Sequence, residues 1–321
     1  MLGFAETAPW QWAGFIFCLL IFIGIDMGAF SRRPRLVTYR EALLWSLVWF
    51  SLAMLFAGLM VFLRGSAAAT EFVTGYLIEL SLSLDNILII AIIFTTFRVP
   101  EEFQRRVLVL GIIGALVMRG VMIGAGAVLV QRFAWVLYVF GVFLVFAGVR
   151  MLLVRHEAVN PERFLVTRVF RRLFPVSPNF DGQKLVTRSN GLRLLTPLAL
   201  VLVIVETSDL LFAVDSVPAV FSVTRSAFVV FTSNMFAILG LRSMYFLLSG
   251  AIGRFRYLKT GLSLVLVFVG IKMLLDPHDR TPQWFQVEIP TTVSLLVVLV
   301  VLTTAMVLSM AVSRRDDRAK S

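Results

Sequence analysis

Apolar residues run through this chain in long unbroken stretches separated by short polar connections. A helix that crosses a bilayer needs about 20 consecutive apolar residues. Nine stretches qualify: Trp10–Phe30, Ala42–Leu63, Phe72–Phe97, Val107–Val130, Ala134–Val154, Leu194–Val217, Ala227–Leu248, Leu258–Leu275 and Ile289–Val312. The pattern predicts an all-α, polytopic transmembrane helical bundle of about nine spans in a single membrane domain. The residues before the first stretch, Met-Leu-Gly-Phe-Ala-Glu, carry no basic cluster or small-residue cleavage site. That stretch is therefore read as an uncleaved span. The longest polar insertion, residues 155–193, follows the fifth stretch.

Composition agrees with a membrane class: 59% of residues are hydrophobic and 15% charged. The net charge of +11 by itself suggests an acidic partner such as nucleic acid. Its distribution argues against one, because 22 Lys and Arg residues collect in the connections on one side and four (Arg64, Arg132, Arg225, Arg280) on the other. This is the asymmetry of the positive-inside rule. It predicts a bacterial inner-membrane protein with its N-terminus outside, its C-terminus in the cytoplasm and the bilayer as its solvent. Within the 155–193 insertion, Pro161–Pro175 interleaves Phe164, Val169, Phe170, Leu173 and Phe174 with arginines. It reads either as an amphipathic helix on the inner leaflet or as a solvated connector, and the insertion is the one candidate docking surface for a protein partner.

The chain also repeats itself. Residues 144–153, LVFAGVRMLL, return as LVFVGIKMLL at 266–275; Arg119 corresponds to Arg242, and Asp85 to Asp215. The third to fifth spans (72–154) thus match the sixth to eighth (194–275), with 289–312 as a last span outside the repeat. Three spans per unit make the second unit enter the membrane from the opposite side. Inverted repeats of this kind are typical of secondary transporters, whose sites lie near the midplane where the repeats meet.

A charge buried in hydrocarbon costs about 2.5–3.5 kcal/mol or more, so charges within spans are the strongest chemical signal. Six carboxylates lie there: Asp26, Glu79, Asp85, Glu206, Asp209 and Asp215. Asn86 follows Asp85. Four bases accompany them, of which Arg150 and Lys272 are placed to snorkel to the interfaces and Arg119 and Arg242 are too central to do so. The surplus of negative charge calls for a cation, protons or both. Carboxylate, amide and hydroxyl oxygens form a hard ligand set suited to Mn, Mg or Ca. Cys18, the single cysteine, lies within the first span, and His156 and His278 lie in connections. Glu79 and Asp85, like Asp209 and Asp215, are six residues apart and so roughly 120° apart on an ideal helix. For each pair to meet one ion, the helix must loosen between them, or two helices must supply the site together. The alternative for these acids is permanent pairing with Arg119 and Arg242. Asp26, toward the end of its span, reads equally as a ligand or an interfacial residue.

The stretches Glu79–Asn86, Glu206–Phe221 and Thr232–Phe246, extending through Lys272-Met-Leu-Leu275, resemble the TerC family of integral membrane proteins. The resemblance covers about Phe72–Leu275. It implies a transporter-like fold, a link to tellurium resistance or manganese export, and metal handling by Glu79, Asp85, Glu206, Asp209 and Asp215. The expected function is therefore a non-enzymatic secondary transporter exporting a divalent cation, Mn²⁺ foremost, in exchange for protons and with no permanently bound cofactor. No GxxxxGK[ST] motif is present to couple it to nucleotide. The rival is a non-transporting membrane anchor for a tellurite- or metal-stress complex.

Overall fold

The computed structural model describes residues 8–30, 38–133, 135–153, 165–189, 192–248, 257–275, 287 and 289–320. The described residues form a bundle of ten helices and one small hairpin: α1 (Pro9–Phe30), α2 (Tyr39–Arg64), α3 (Ser66–Thr96), α4 (Glu101–Arg132), α5 (Trp135–Leu153), α6 (Leu165–Leu173), β1 (Val186–Ser189), β2 (Leu192–Leu195), α7 (Pro197–Phe221), α8 (Ala227–Leu248), α9 (Leu258–Leu275) and α10 (Thr291–Lys320). Among the described residues, eight helices are long and apolar enough to cross a membrane, and α1 adds a shorter apolar stretch, Pro9–Ile25. The protein is a multi-pass α-helical membrane protein.

The most buried of these helices is not the most hydrophobic. α8 has the lowest mean hydropathy of the eight, 1.4, yet 89% of its spanning window is buried. Its Thr232, Ser233, Asn234 and Arg242 point into protein, where hydrogen-bond partners exist. α3, α2 and α4 pack against it, with α1 and α7 at its margins. The outer helices reverse this arrangement. Phe62 is 88% exposed, Leu153 75% and Leu55 70%, a surface that would aggregate in water and that lipid covers.

Local chemistry sets the helix ends. Gly65 is the one residue between α2 and α3; it takes φ +91°, accessible to glycine without strain, and its N–H donates to the Val61 carbonyl at 3.0 Å. Thr196 caps α7, accepting from the Ala199 N–H at 3.4 Å, with Pro197 at the first helical position. Both acid-bearing helices run unbroken: α3 through Glu79–Asp85, and α7 through Asp209–Asp215 and past Pro218. The expected loosening between the acids does not occur. Ser81 donates one turn back to the Leu77 carbonyl at 2.6 Å, and Thr207, just before the acid pair of α7, to that of Val203 at 2.7 Å, without interrupting either helix.

α5 and α9 pack antiparallel with almost nothing between their backbones. A Cβ on Gly270 would lie 2.8 Å from both the Gly141 carbonyl oxygen and the Val145 nitrogen; one on Gly148 would lie 2.8 Å from the Ser263 carbonyl oxygen and 3.0 Å from the Val267 nitrogen. A step of 122 residues carries Gly148 to Gly270, Gly141 to Ser263 and Val145 to Val267. The two close approaches are one contact seen from either helix.

The insertion after α5 is more ordered than a solvated connector. α6 forms where the apolar and basic residues interleave. Beyond it β1 and β2 pair antiparallel, Val186 with Leu195, a hairpin the sequence pattern did not predict. Phe180 lies against Phe103 of α4, the rings tilted with centres 6.0 Å apart, and Thr196 donates to the Lys184 carbonyl at 2.7 Å, tying the hairpin to the start of α7. Residues 155–164 of the insertion lie outside the described residues.

Candidate functional site

Arg119, midway along α4 and 0% exposed, is the hub of the polar interior. Its Nη1 donates to Glu79 Oε2 at 2.6 Å, to Ser216 Oγ at 3.2 Å and to Asn234 Oδ1 at 3.4 Å. Its Nη2 and Nε donate to the two carboxylate oxygens of Asp209 at 3.3 and 3.4 Å. Glu79 is closed off on its other side by Asn234, whose amide donates to Oε1 at 2.6 Å. Asn86 joins the group in either orientation of its amide: Nδ2 donates to Asp209 Oδ1 at 3.3 Å, or the turned amide accepts from Arg119 Nη2 at 3.3 Å and donates to the Leu82 carbonyl. One guanidinium thus faces two carboxylates across α3, α4 and α7, and amides and a hydroxyl supply the further partners.

Asp85 and Asp215 do not belong to this cluster. Because α3 and α7 stay helical, the 120° separation within each acid pair is preserved, and the second acid of each pair turns to another face. Asp85 and Asp215 instead line one cavity of about 330 Å³, together with Arg150 of α5 and Lys259 of α9. The division is the same on both helices. Glu79 and Asp209 are 130 residues apart, as are Asp85 and Asp215, and as are Asn86 and Ser216, both of which reach Arg119.

The remaining sequence candidates are placed separately. Glu206, half-buried on the face of α7 that meets α4, presses its carboxylate against Gly114, and its Oε2 is buried with no hydrogen-bond partner. Arg242 is 2% exposed within α8. Lys272, expected to snorkel, is 1% exposed, whereas Arg150 at the matching position is exposed. The difference is tertiary: Arg150 sits in the last turn of α5 beside a cavity, and Lys272 in the last turn of α9 beneath its neighbours. Asp26 falls in α1, but its side chain lies outside the described residues. Among the described residues, no three acids, histidines or cysteines gather as metal ligands would. The acids expected to form one shell are instead divided between the arginine cluster, the cavity and the α4–α7 interface.

Four participants were not anticipated. Asn234 and Ser216 look like ordinary polar residues of a packed helix, although the first lies in the buried Thr-Ser-Asn run and the second follows Asp215 directly. Arg150 was expected to snorkel to the interface, and Lys259 was one of the basic residues counted in the connections.

Comparison with known proteins now bears on this arrangement. The model of the integral membrane protein TerC family matches residues 64–317, which include every helix of the cluster and the cavity. The chain belongs to the TerC family. It is 47% identical over 307 residues to an uncharacterized membrane protein of Myxococcus xanthus, covering 96% of this chain and 94% of that protein. It is 42% identical over 321 residues to a putative membrane-bound redox modulator, Alx, of Escherichia coli K12, covering 97% and 98% respectively. An uncharacterized membrane protein of Rickettsia bellii is 37% identical over 281 residues. No solved structure matches the chain. The TerC match begins at Arg64, so α1 and nearly all of α2 lie outside it, while the alignments with the Myxococcus and Escherichia proteins cover 96% and 97% of the chain.

Proposed function

We propose that this TerC protein is a secondary transporter that exports a divalent cation, Mn²⁺ foremost, across the bacterial inner membrane in exchange for protons. The observation that carries the proposal is the division of labour among the acids. Glu79 and Asp209 are held by Arg119, while Asp85 and Asp215, from two different helices, face a common cavity. Two carboxylates lining one cavity are hard oxygen donors of the kind Mn²⁺ accepts. The positive charge opposite them comes from Arg150, in the last turn of α5, and Lys259, in the first turn of α9. Both are long side chains at helix ends that can withdraw toward the interface as a cation enters, and return or give way to protons as it leaves.

Two further features support the reading. The positive-inside distribution puts the end of α5 and the start of α9 on the cytoplasmic side, so the cavity is bordered by residues of the side from which an exporter loads. The exchange symmetry of the α5–α9 seam is what an inverted repeat would produce about an axis in the membrane plane, and alternating access requires such a relationship. The name of the Escherichia coli relative, a putative redox modulator, is compatible with this function. An intrachain dithiol mechanism is closed to a protein whose single cysteine is Cys18, but export of a redox-active metal would alter redox balance without the protein carrying electrons.

The test is manganese content in a bacterial host lacking its own efflux system. Wild-type protein lowers the cellular metal, and Asp85→Asn or Asp215→Asn abolishes that effect while the protein still reaches the membrane. Normal export by both variants refutes the assignment.

A further inference from the structure

A second cavity lies far from the acids. α1 rests on α8 and meets α2 through side chains, Phe15 against Phe56 and Phe22 against Trp49, with ring centres 5.5 and 5.9 Å apart. Between them is a space of about 400 Å³, walled from Trp10 to Phe22 on α1 and from Leu52 to Arg64 on α2, and floored by Phe228 and Phe236 of α8. Its lining is apolar along nearly its whole length, with Arg64 at one end. Each wall spans thirteen residues, a rise of about 18 Å between its ends, somewhat over half of a hydrocarbon core about 30 Å thick. The groove is therefore about as deep as one leaflet.

Its charged end is held in place. Arg64 Nη1 donates to Ser226 Oγ at 3.2 Å, and the guanidinium lies 5.2 Å from the centre of the Phe228 ring. The cation thus stands at the rim of an apolar slot, at the depth where a lipid headgroup lies when its chain follows the walls. Guanidinium and phosphate are matched in charge and hydrogen-bond geometry. Gly14 lies on the wall of the slot, and a Cβ built there meets nothing within 4 Å, so a bulky side chain has room to enter the slot from this position.

We propose that this groove binds one membrane phospholipid, with an acyl chain between α1 and α2 and its phosphate on Arg64. A lipid here fills the space left between α1 and α2 beside their aromatic contacts, and so adds to the packing that holds α1 on the bundle. The site stands whether or not the protein transports a cation.

The test uses the full chain, purified in mild detergent and stripped of lipid. Phosphatidylglycerol is then added back and followed by native mass spectrometry and by thermal unfolding. Wild type is expected to retain one phosphatidylglycerol and to unfold at a higher temperature in its presence, as any ligand selective for the folded state requires. Gly14→Phe, which fills the slot, should abolish both effects, and Arg64→Leu should weaken retention about tenfold. Gly58→Phe places the same bulk at another open position, outside the groove, and should behave as wild type. Equal retention by Gly14→Phe and wild type overturns the proposal. So does undiminished retention by Arg64→Leu, preference for a neutral glyceride, or a dimer formed through this face instead.

Discussion

Removing the guanidinium at the centre of the bundle is the sharpest physical test of how its interior is held together. Arg119 is fully buried and donates to Glu79 at 2.6 Å and to Asp209 at 3.3 Å. Arg119→Met keeps much of the length and apolar bulk of the side chain but leaves two carboxylates without a countercharge, one of them 0% exposed. Breaking a buried pair from one side typically costs about 3–5 kcal/mol, because the partner's desolvation is no longer offset. Ser216 and Asn234 also lose a partner, and neither can replace a positive charge. Glu79→Gln on its own leaves donors of Arg119 and Asn234 imperfectly matched, at about 1–3 kcal/mol. The two losses should not add. In the double variant the charge lost on one side matches that lost on the other, so its cost should not exceed that of Arg119→Met alone. The corresponding coupling is about 1–3 kcal/mol. Equilibrium unfolding in detergent, followed by the fluorescence of the six tryptophans, measures all four corners of the cycle. Additive costs, or an Arg119→Met variant within about 0.5 kcal/mol of wild type, would refute the reasoning.

Two other substitutions probe how closely the helices approach. Gly270→Val should destabilise by about 1–3 kcal/mol or more, because its Cβ would meet backbone atoms of α5 at 2.8 Å, whereas Gly58→Ala, with nothing within 4 Å, should be close to neutral in the same unfolding assay. Gly114→Ala would put a methyl group where the Glu206 carboxylate lies; the protein should still insert and fold, with impaired manganese export in the host assay, and unchanged export would remove Glu206 from the functional machinery.

Much of the architecture follows from the sequence alone. Span lengths and loop charges are local quantities, read by the bilayer one helix at a time, so the number and approximate limits of the long helices are visible without any contact. The chemical anomaly is equally visible: carboxylates within apolar stretches cannot be accidental when each is costly to bury. Even the internal correspondence of Gly148 with Gly270 shows in a ten-residue match before the two glycines are seen to serve equivalent contacts.

The tertiary structure alone decided which acids act together. Six residues along a helix separate two side chains by 120°, and the sequence left open whether the helix would yield to bring them to one ion. It does not yield: both helices stay regular through their acids, and Arg119 satisfies the first acid of each pair. The second acids are thereby turned to a cavity whose other charged residues, Arg150 and Lys259, come from helices distant in sequence. The same limit explains Lys272, whose burial depends on neighbours that no local pattern encodes. Hydropathy tells a helix that it belongs in the membrane, and packing between helices tells each buried charge which partner it has.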